Sequence, residues 1–146
     1  MESQVKEMNA FNEFWDQKID EFEQEACNIE AEMLERHKEE AVSVEEELRR
    51  VVPMKKKMTT QHLNYKKALE TLVKQKDYIE ANRMKALCDQ LEKAEISKAY
   101  QEKEQRIKFF MSQLEHRHKN ELNVLRKRIG TGREELLKGK VLELEK

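Results

Sequence analysis

The sequence predicts an all-α protein, and within that class an elongated antiparallel coiled-coil helical hairpin. Three observations point there. The 146 residues include only 3 Gly and 1 Pro, so little interrupts a chain rich in Glu, Lys, Gln, Leu, Met and Ala, which lose little freedom on entering a helix. Charged residues make up 40% of the chain and apolar residues 38%, against about 45–50% apolar in an average globular domain. Disorder would bring Pro, Ser and Gly or a large net charge, but 29 basic and 30 acidic side chains nearly cancel. Finally, apolar residues recur at intervals of three and four through both halves, the signature of a helix with one buried stripe.

The first arm covers residues 1–74. Its seam begins Trp15, Ile19, Phe22, Ala26, Ile29 and Met33, and continues through His37, Ala41, Val44 and Leu48. This is a heptad pattern with one stutter, where three intervals of four follow one another. The arm is acidic, with 16 acids and 6 bases in residues 1–50. Pro53 removes a helical hydrogen bond and crowds the preceding turn. No Asn, Asp, Ser or Gly adjoins it, so the expectation is a kink or short break without reversal.

The turn is placed at residues 75–76. Asp77-Tyr78-Ile79-Glu80 has the form of a capping box, in which Asp77 accepts from the amide three residues on and Glu80 reaches back. Lys74 and Lys76 place positive charge at the end of the preceding helix, where the dipole is negative. No glycine lies there, and one unbroken helix through residue 77 is the alternative.

The second arm covers residues 77–146. Its seam passes through Lys103, Ile107, Phe110, Leu114 and His118, then Leu122, Leu125, Ile129 and Leu136, with a second stutter. The two stutters centre on residues 35 and 116, which implies pairing of residue i with residue 151 − i. Trp15 then faces Leu136, Phe22 faces Ile129 and His37 faces Leu114. An antiparallel coiled-coil dimer of near-continuous helices satisfies the same rule and is the alternative fold. Residues 101–146, which pair with 1–50 under this rule, hold 8 acids and 12 bases, so the facing stretches carry opposite charge, which favours this orientation. At residues 130–132, Gly130 could cap one helix while Thr131 and Glu134 start another; a continuous, slightly bent helix is equally consistent.

No catalytic, metal or cofactor site is legible. Gly132–Lys140 has too many residues between its glycines, and Val141 after Lys140, so it does not match a phosphate-binding loop. Glu115 and His118 form one Glu-x-x-His unit, but a di-iron bundle needs two such units and two further glutamates. His116 and His118 point in different directions on a helix. Cys27 and Cys88 lack metal spacing and any neighbouring activating group, and read as reduced, inert thiols. The aromatic group Phe11, Phe14, Trp15 and Phe22 belongs mostly to the seam, with Phe14 beside it.

Two basic groups are candidate partner-binding sites. Lys55, Lys56, Lys57, Lys66, Lys67, Lys74 and Lys76 would form a basic face near the turn, and Arg126, Lys127 and Arg128 a second cluster. Each is either a solvated helix face or a docking site for an acidic surface. No aromatic or glycine interleaving favours stacked nucleic acid.

Leu69–Leu91, LETLVKQKDYIEANRMKALCDQL, resembles the UVR motif, a short helical hairpin found in excinuclease and in several bacterial and eukaryotic interaction proteins. Asp77, Tyr78, Ala81 and Met84 occupy motif positions; Lys85 stands where the motif has Arg, and Ala86 where it has an acid. The resemblance implies a hairpin with a partner-binding face and no catalysis. The last 75 or so residues also resemble long coiled-coil proteins of flagellated protists, typically cytoskeletal or axonemal. Together these give the expectation of a non-enzymatic scaffold binding or bridging axonemal microtubules, with an adaptor that holds a soluble protein at the hairpin tip as the alternative. Tubulin or axonemal coiled coils are the expected partners. The absence of an apolar run long enough for a membrane span or signal peptide gives a cytoplasmic, cytoskeletal location as the expectation, with the cilium or flagellum as its finer form.

Overall fold

A computed structural model describes residues 2–146, and the fold is all-α. Helix α1 spans Glu2–Val51, α2 spans Thr60–Lys74 and α3 spans Tyr78–Glu145. No strand occurs among the described residues. The chain forms two compact units: Met1–Ser43 with Gln113–Lys146, termed here the paired-helix unit, and Val44–Ser112, termed the hairpin unit.

In the paired-helix unit α1 and α3 run antiparallel, and the seam is the buried stripe. Trp15, Ala26 and Leu114 are buried, and Ile19, Phe22, Met33, Leu122, Leu125, Ile129 and Leu136 are half-buried. Ile29 is the exception, more exposed than its heptad position implies.

The contacts fall three or four residues beyond the 151 − i pairing. Phe22 lies against Gly132 and Trp15 against Gly139, and His37 stacks on His118 with ring centroids 3.9 Å apart. The expected partners were Ile129, Leu136 and Leu114. Side chains on a helix lean toward its N-terminus, so across an antiparallel pair the leans point in opposite directions. Lean of about one position per side chain raises the number sum of touching residues by about one or two, less than the offset seen, so the register itself also lies beyond the 151 − i rule.

Gly132 and Gly139 are sockets. A Cβ on Gly132 would sit 3.0 Å from the Phe22 ring, and one on Gly139 would sit 3.4 Å from the Trp15 ring. Trp15 and Phe22 are seven residues apart, as are the two glycines, so the same packing unit occurs twice in one register. The helix is continuous through residues 130–132, and the Thr131 hydroxyl donates to the Lys127 carbonyl instead of capping.

In the hairpin unit the end of α1 and all of α2 pack on the first half of α3. The proline ends α1, and the chain is non-helical from residue 52 to 59. That is a break longer than a kink. The Arg49 carbonyl, which Pro53 cannot serve, accepts instead from the Lys103 Nζ at 2.8 Å. Ala99 is buried beside this break.

The turn between α2 and α3 is a Schellman motif without glycine. Lys76 takes the left-handed conformation with φ 61°, its amide donates to the Val73 carbonyl and the Asp77 amide donates to the Leu72 carbonyl. These bonds satisfy carbonyls that the helix end would leave orphaned. Asp77 Oδ1 accepts from the Glu80 amide at 3.4 Å. The reciprocal half of a capping box is absent, because the Asp77 amide is already committed to Leu72, and the Glu80 carboxylate lies instead toward Arg83.

Candidate partner-binding surface

The helix restart after Pro53 is built from Thr59. Its hydroxyl accepts from the His62 amide at 3.1 Å as an N-cap and donates to Glu95 Oε1 at 3.2 Å. The Thr59 amide also donates to Glu95 Oε1, at 3.0 Å. His62 Nδ1 lies 3.0 Å from both Glu95 oxygens. The Thr59 amide is the main influence holding the Glu95 carboxyl below the usual range, against its burial, with His62 and the Thr59 hydroxyl assisting. An ionised carboxylate only accepts, so His62 Nδ1 carries the proton. Both His62 and Glu95 are buried, and the network leaves no buried polar side-chain atom unpaired among the described residues.

Held by Glu95 at one end and Lys103 at the other, the break forms one wall of a groove of about 820 Å³. Val51, Val52, Pro53, Ala99, Phe109 and Phe110 supply its apolar surface, and Lys55, Lys57, Lys103 and Arg106 supply cations, against Glu102 as the acid present. Lys103 is occupied by the Arg49 carbonyl. Lys55, Lys57 and Arg106 make no ion pair among the described residues. Val51, Phe109 and Phe110 are 61%, 60% and 45% exposed, so the apolar surface is open to solvent.

The basic residues read from the sequence divide by environment. Lys55 and Lys57 line the groove, whereas Lys56 is bound to Glu92 at 2.7 Å. Lys66, Lys67 and Lys74 are exposed on α2, and Lys76 is exposed in the turn; none of the four lines the groove. In the paired-helix unit, Arg126 is taken by Glu30 at 2.8 Å, while Lys127 and Arg128 border a shallow depression on α3 with Thr131 and Glu135.

Two further arginines of that unit, Arg117 and Arg133, are also spent across the helix pair. Arg133 grips Glu23, with Nη2 at 2.8 Å from Oε2, and Arg117 reaches Glu40 at 2.6 Å. The stacked histidines each face a carboxylate of the opposite helix, His37 on Glu121 at 2.9 Å and His118 on Glu40 at 3.1 Å. No group of three or more His, Cys, Asp or Glu side chains is placed to hold a metal ion among the described residues. Cys27 is exposed and Cys88 buried, both as free thiols.

Sequence reasoning missed the Glu95–His62–Thr59 network and the groove. A threonine preceding a helical stretch was an available signal for the restart, but His62 stands where a capping box has Glu or Gln. Phe110, read as a seam residue, is instead 45% exposed beside Phe109; that the break would leave both rings uncovered was not legible. Comparison with family models, curated proteins and solved structures returned no match.

Proposed function

We propose that this chain is a non-catalytic structural protein of the cytoskeleton that binds an acidic protein lattice, with the axonemal microtubule of a cilium or flagellum as the specific reading. One observation carries it. In the hairpin unit 16 bases stand against 11 acids, and Lys55, Lys57, Lys66, Lys67, Lys74 and Lys76 are exposed without an ion pair among the described residues. Cations left over from intramolecular pairing are available to an acidic surface, with attraction that salt screens. The resemblance to protist coiled-coil proteins supports the cytoskeletal part of the reading. Among the described residues no helix is long and apolar enough to cross a membrane.

Microtubule co-sedimentation of the full chain tests this reading. Binding is expected to fall steeply with added salt and to be lost in Lys66→Glu/Lys67→Glu/Lys74→Glu/Lys76→Glu, with helicity unchanged. Sedimentation unaffected by that variant would remove the lattice reading. The adaptor reading has its own support in Tyr78, a UVR-like position, and its neighbour Ile79, which are 62% and 84% exposed at the start of α3. Loss of a soluble partner on Tyr78→Ser/Ile79→Ser alone would favour it.

A further inference from the structure

We propose that the groove beside Pro53 docks an acidic peptide segment carrying one large apolar side chain between carboxylates. Three independent features of the groove select that occupant. Its apolar surface is unpartnered: Val51, Phe109 and Phe110 are exposed around a cavity wide enough for an aromatic or large aliphatic residue. Its border is cationic, with Lys55, Lys57 and Arg106 free of ion pairs among the described residues and one acid, Glu102, in the lining. The backbone of residues 54–58 makes no hydrogen bond to other backbone among the described residues, so its amides and carbonyls are available to a peptide's own.

An apolar anchor seated on Phe109 and Phe110 supplies affinity that salt does not remove, while the cations select carboxylates on either side of it. Peptide is favoured over nucleic acid because the exposed backbone offers main-chain pairing and the cations surround an apolar hollow instead of tracking a phosphate backbone. The proposal does not rest on microtubule binding, since the four lysines tested for that reading lie off the groove.

Fluorescence anisotropy on the full chain decides it, with labelled Glu-Glu-Phe-Glu-Glu and Glu-Glu-Ser-Glu-Glu peptides and a single-stranded oligonucleotide as probes. The phenylalanine peptide is expected to bind about tenfold or more tightly than the serine peptide, as burial of one aromatic side chain implies. Arg106→Glu and Phe109→Ser are each expected to weaken it about tenfold, and Lys66→Glu/Lys67→Glu by less than about twofold. Arg106 and Phe109 are exposed, so both variants retain the fold; circular dichroism checks this, and if one does not fold the other decides. Absent binding, equal binding of the two peptides, or affinity unchanged in the folded groove variants would overturn the proposal. So would tighter binding of the oligonucleotide, or a dimer of the wild-type chain that Phe109→Ser dissociates, which would assign the surface to a second copy.

Discussion

In the paired-helix unit, α1 and α3 are held by repetition: an apolar seam, two ring-in-glycine sockets seven residues apart, and Arg–Glu pairs at intervals along both flanks. In the hairpin unit the same helix α3 is held by singular contacts. Glu95 serves Thr59 and His62, Lys103 serves the Arg49 carbonyl, and one Schellman turn closes α2. Their charges differ too, with 13 bases against 19 acids in the first and 16 against 11 in the second. Repetition distributes stability over many small packing contacts, so flanking charges can change at little cost. A singular buried network concentrates it, since removing one partner strands the others.

The largest effect is expected from Trp15→Ala. It removes a buried ring from its Gly139 socket and the hydrogen bond from Nε1 to Glu143, which should cost about 3–5 kcal/mol in urea unfolding. A loss below about 1 kcal/mol would mean that the sockets contribute no more than the charged flanks, and the contrast between the units would fail.

Glu95→Gln is expected to come next and to act locally. A neutral amide cannot serve the Thr59 amide, the Thr59 hydroxyl and His62 as the carboxylate does. Amide hydrogen exchange in the first turn of α2 should accelerate about tenfold or more, with α1 residues 15–40 unchanged. Glu95, Glu23, Glu40, Glu92 and Glu104 are all held below the usual carboxylate range, Glu95 mainly by the Thr59 amide and the others by hydrogen bonds from Arg133, His118, Lys56 and Arg49 respectively. A lowered folded-state value gives stability that is complete above pH ~5 and is lost as pH falls through ~4 and below. The acid limb should therefore be shallower in Glu95→Gln than in the wild type. An equal slope would mean that Glu95 is unlinked to folding.

Two glycine substitutions separate helix propensity from socket packing. Gly130→Ala meets nothing within 4 Å and should gain about 0.5–1 kcal/mol. Gly132→Ala has the same propensity gain but must displace the Phe22 ring from 3.0 Å, so it should be neutral or destabilising. Equal thermal shifts for the two would remove the socket at Gly132. The smallest effect is expected in the turn, where Lys76→Gly relieves a left-handed lysine and should raise stability by about 0.5 kcal/mol; a fall in melting temperature would show that the lysine side chain contributes more than its backbone costs.

The contrast between the units also explains what was legible in the sequence. The paired-helix unit is periodic, and period is what a pattern of apolar residues records: Trp15, Phe22, His37, Leu114 and Leu125 were all found as seam residues, and the all-α class follows from them. Contact partners were misassigned by three or four residues because number matching ignores side-chain lean, and because the stutter centres did not fix the register. Gly130 and Gly132 were weighed as a breaker, although the matching intervals of Trp15–Phe22 and Gly132–Gly139 were there to be read. The groove and the Glu95 network were illegible for a different reason. They depend on Pro53 opening a gap of several residues and on which α3 side chains lie opposite it, a non-local fact that no local motif encodes. Glu95 itself looks like any surface glutamate in a helix of charged residues.

The distribution of aromatic chromophores follows the same division. The single tryptophan, Trp15, lies in the paired-helix unit, and the three tyrosines, Tyr65, Tyr78 and Tyr100, all lie in the hairpin unit. Each unit thus has its own optical signature without any label. Trp15 emission follows separation of α1 from α3 as its buried indole meets water; in the hairpin unit the half-buried Tyr65, whose hydroxyl accepts from Gln61 Nε2, is the tyrosine placed to report unfolding, since Tyr78 and Tyr100 are exposed already. Coincident transitions would mean that the continuous helices α1 and α3 transmit unfolding from one unit to the other; separate transitions would make each unit a foldon of its own.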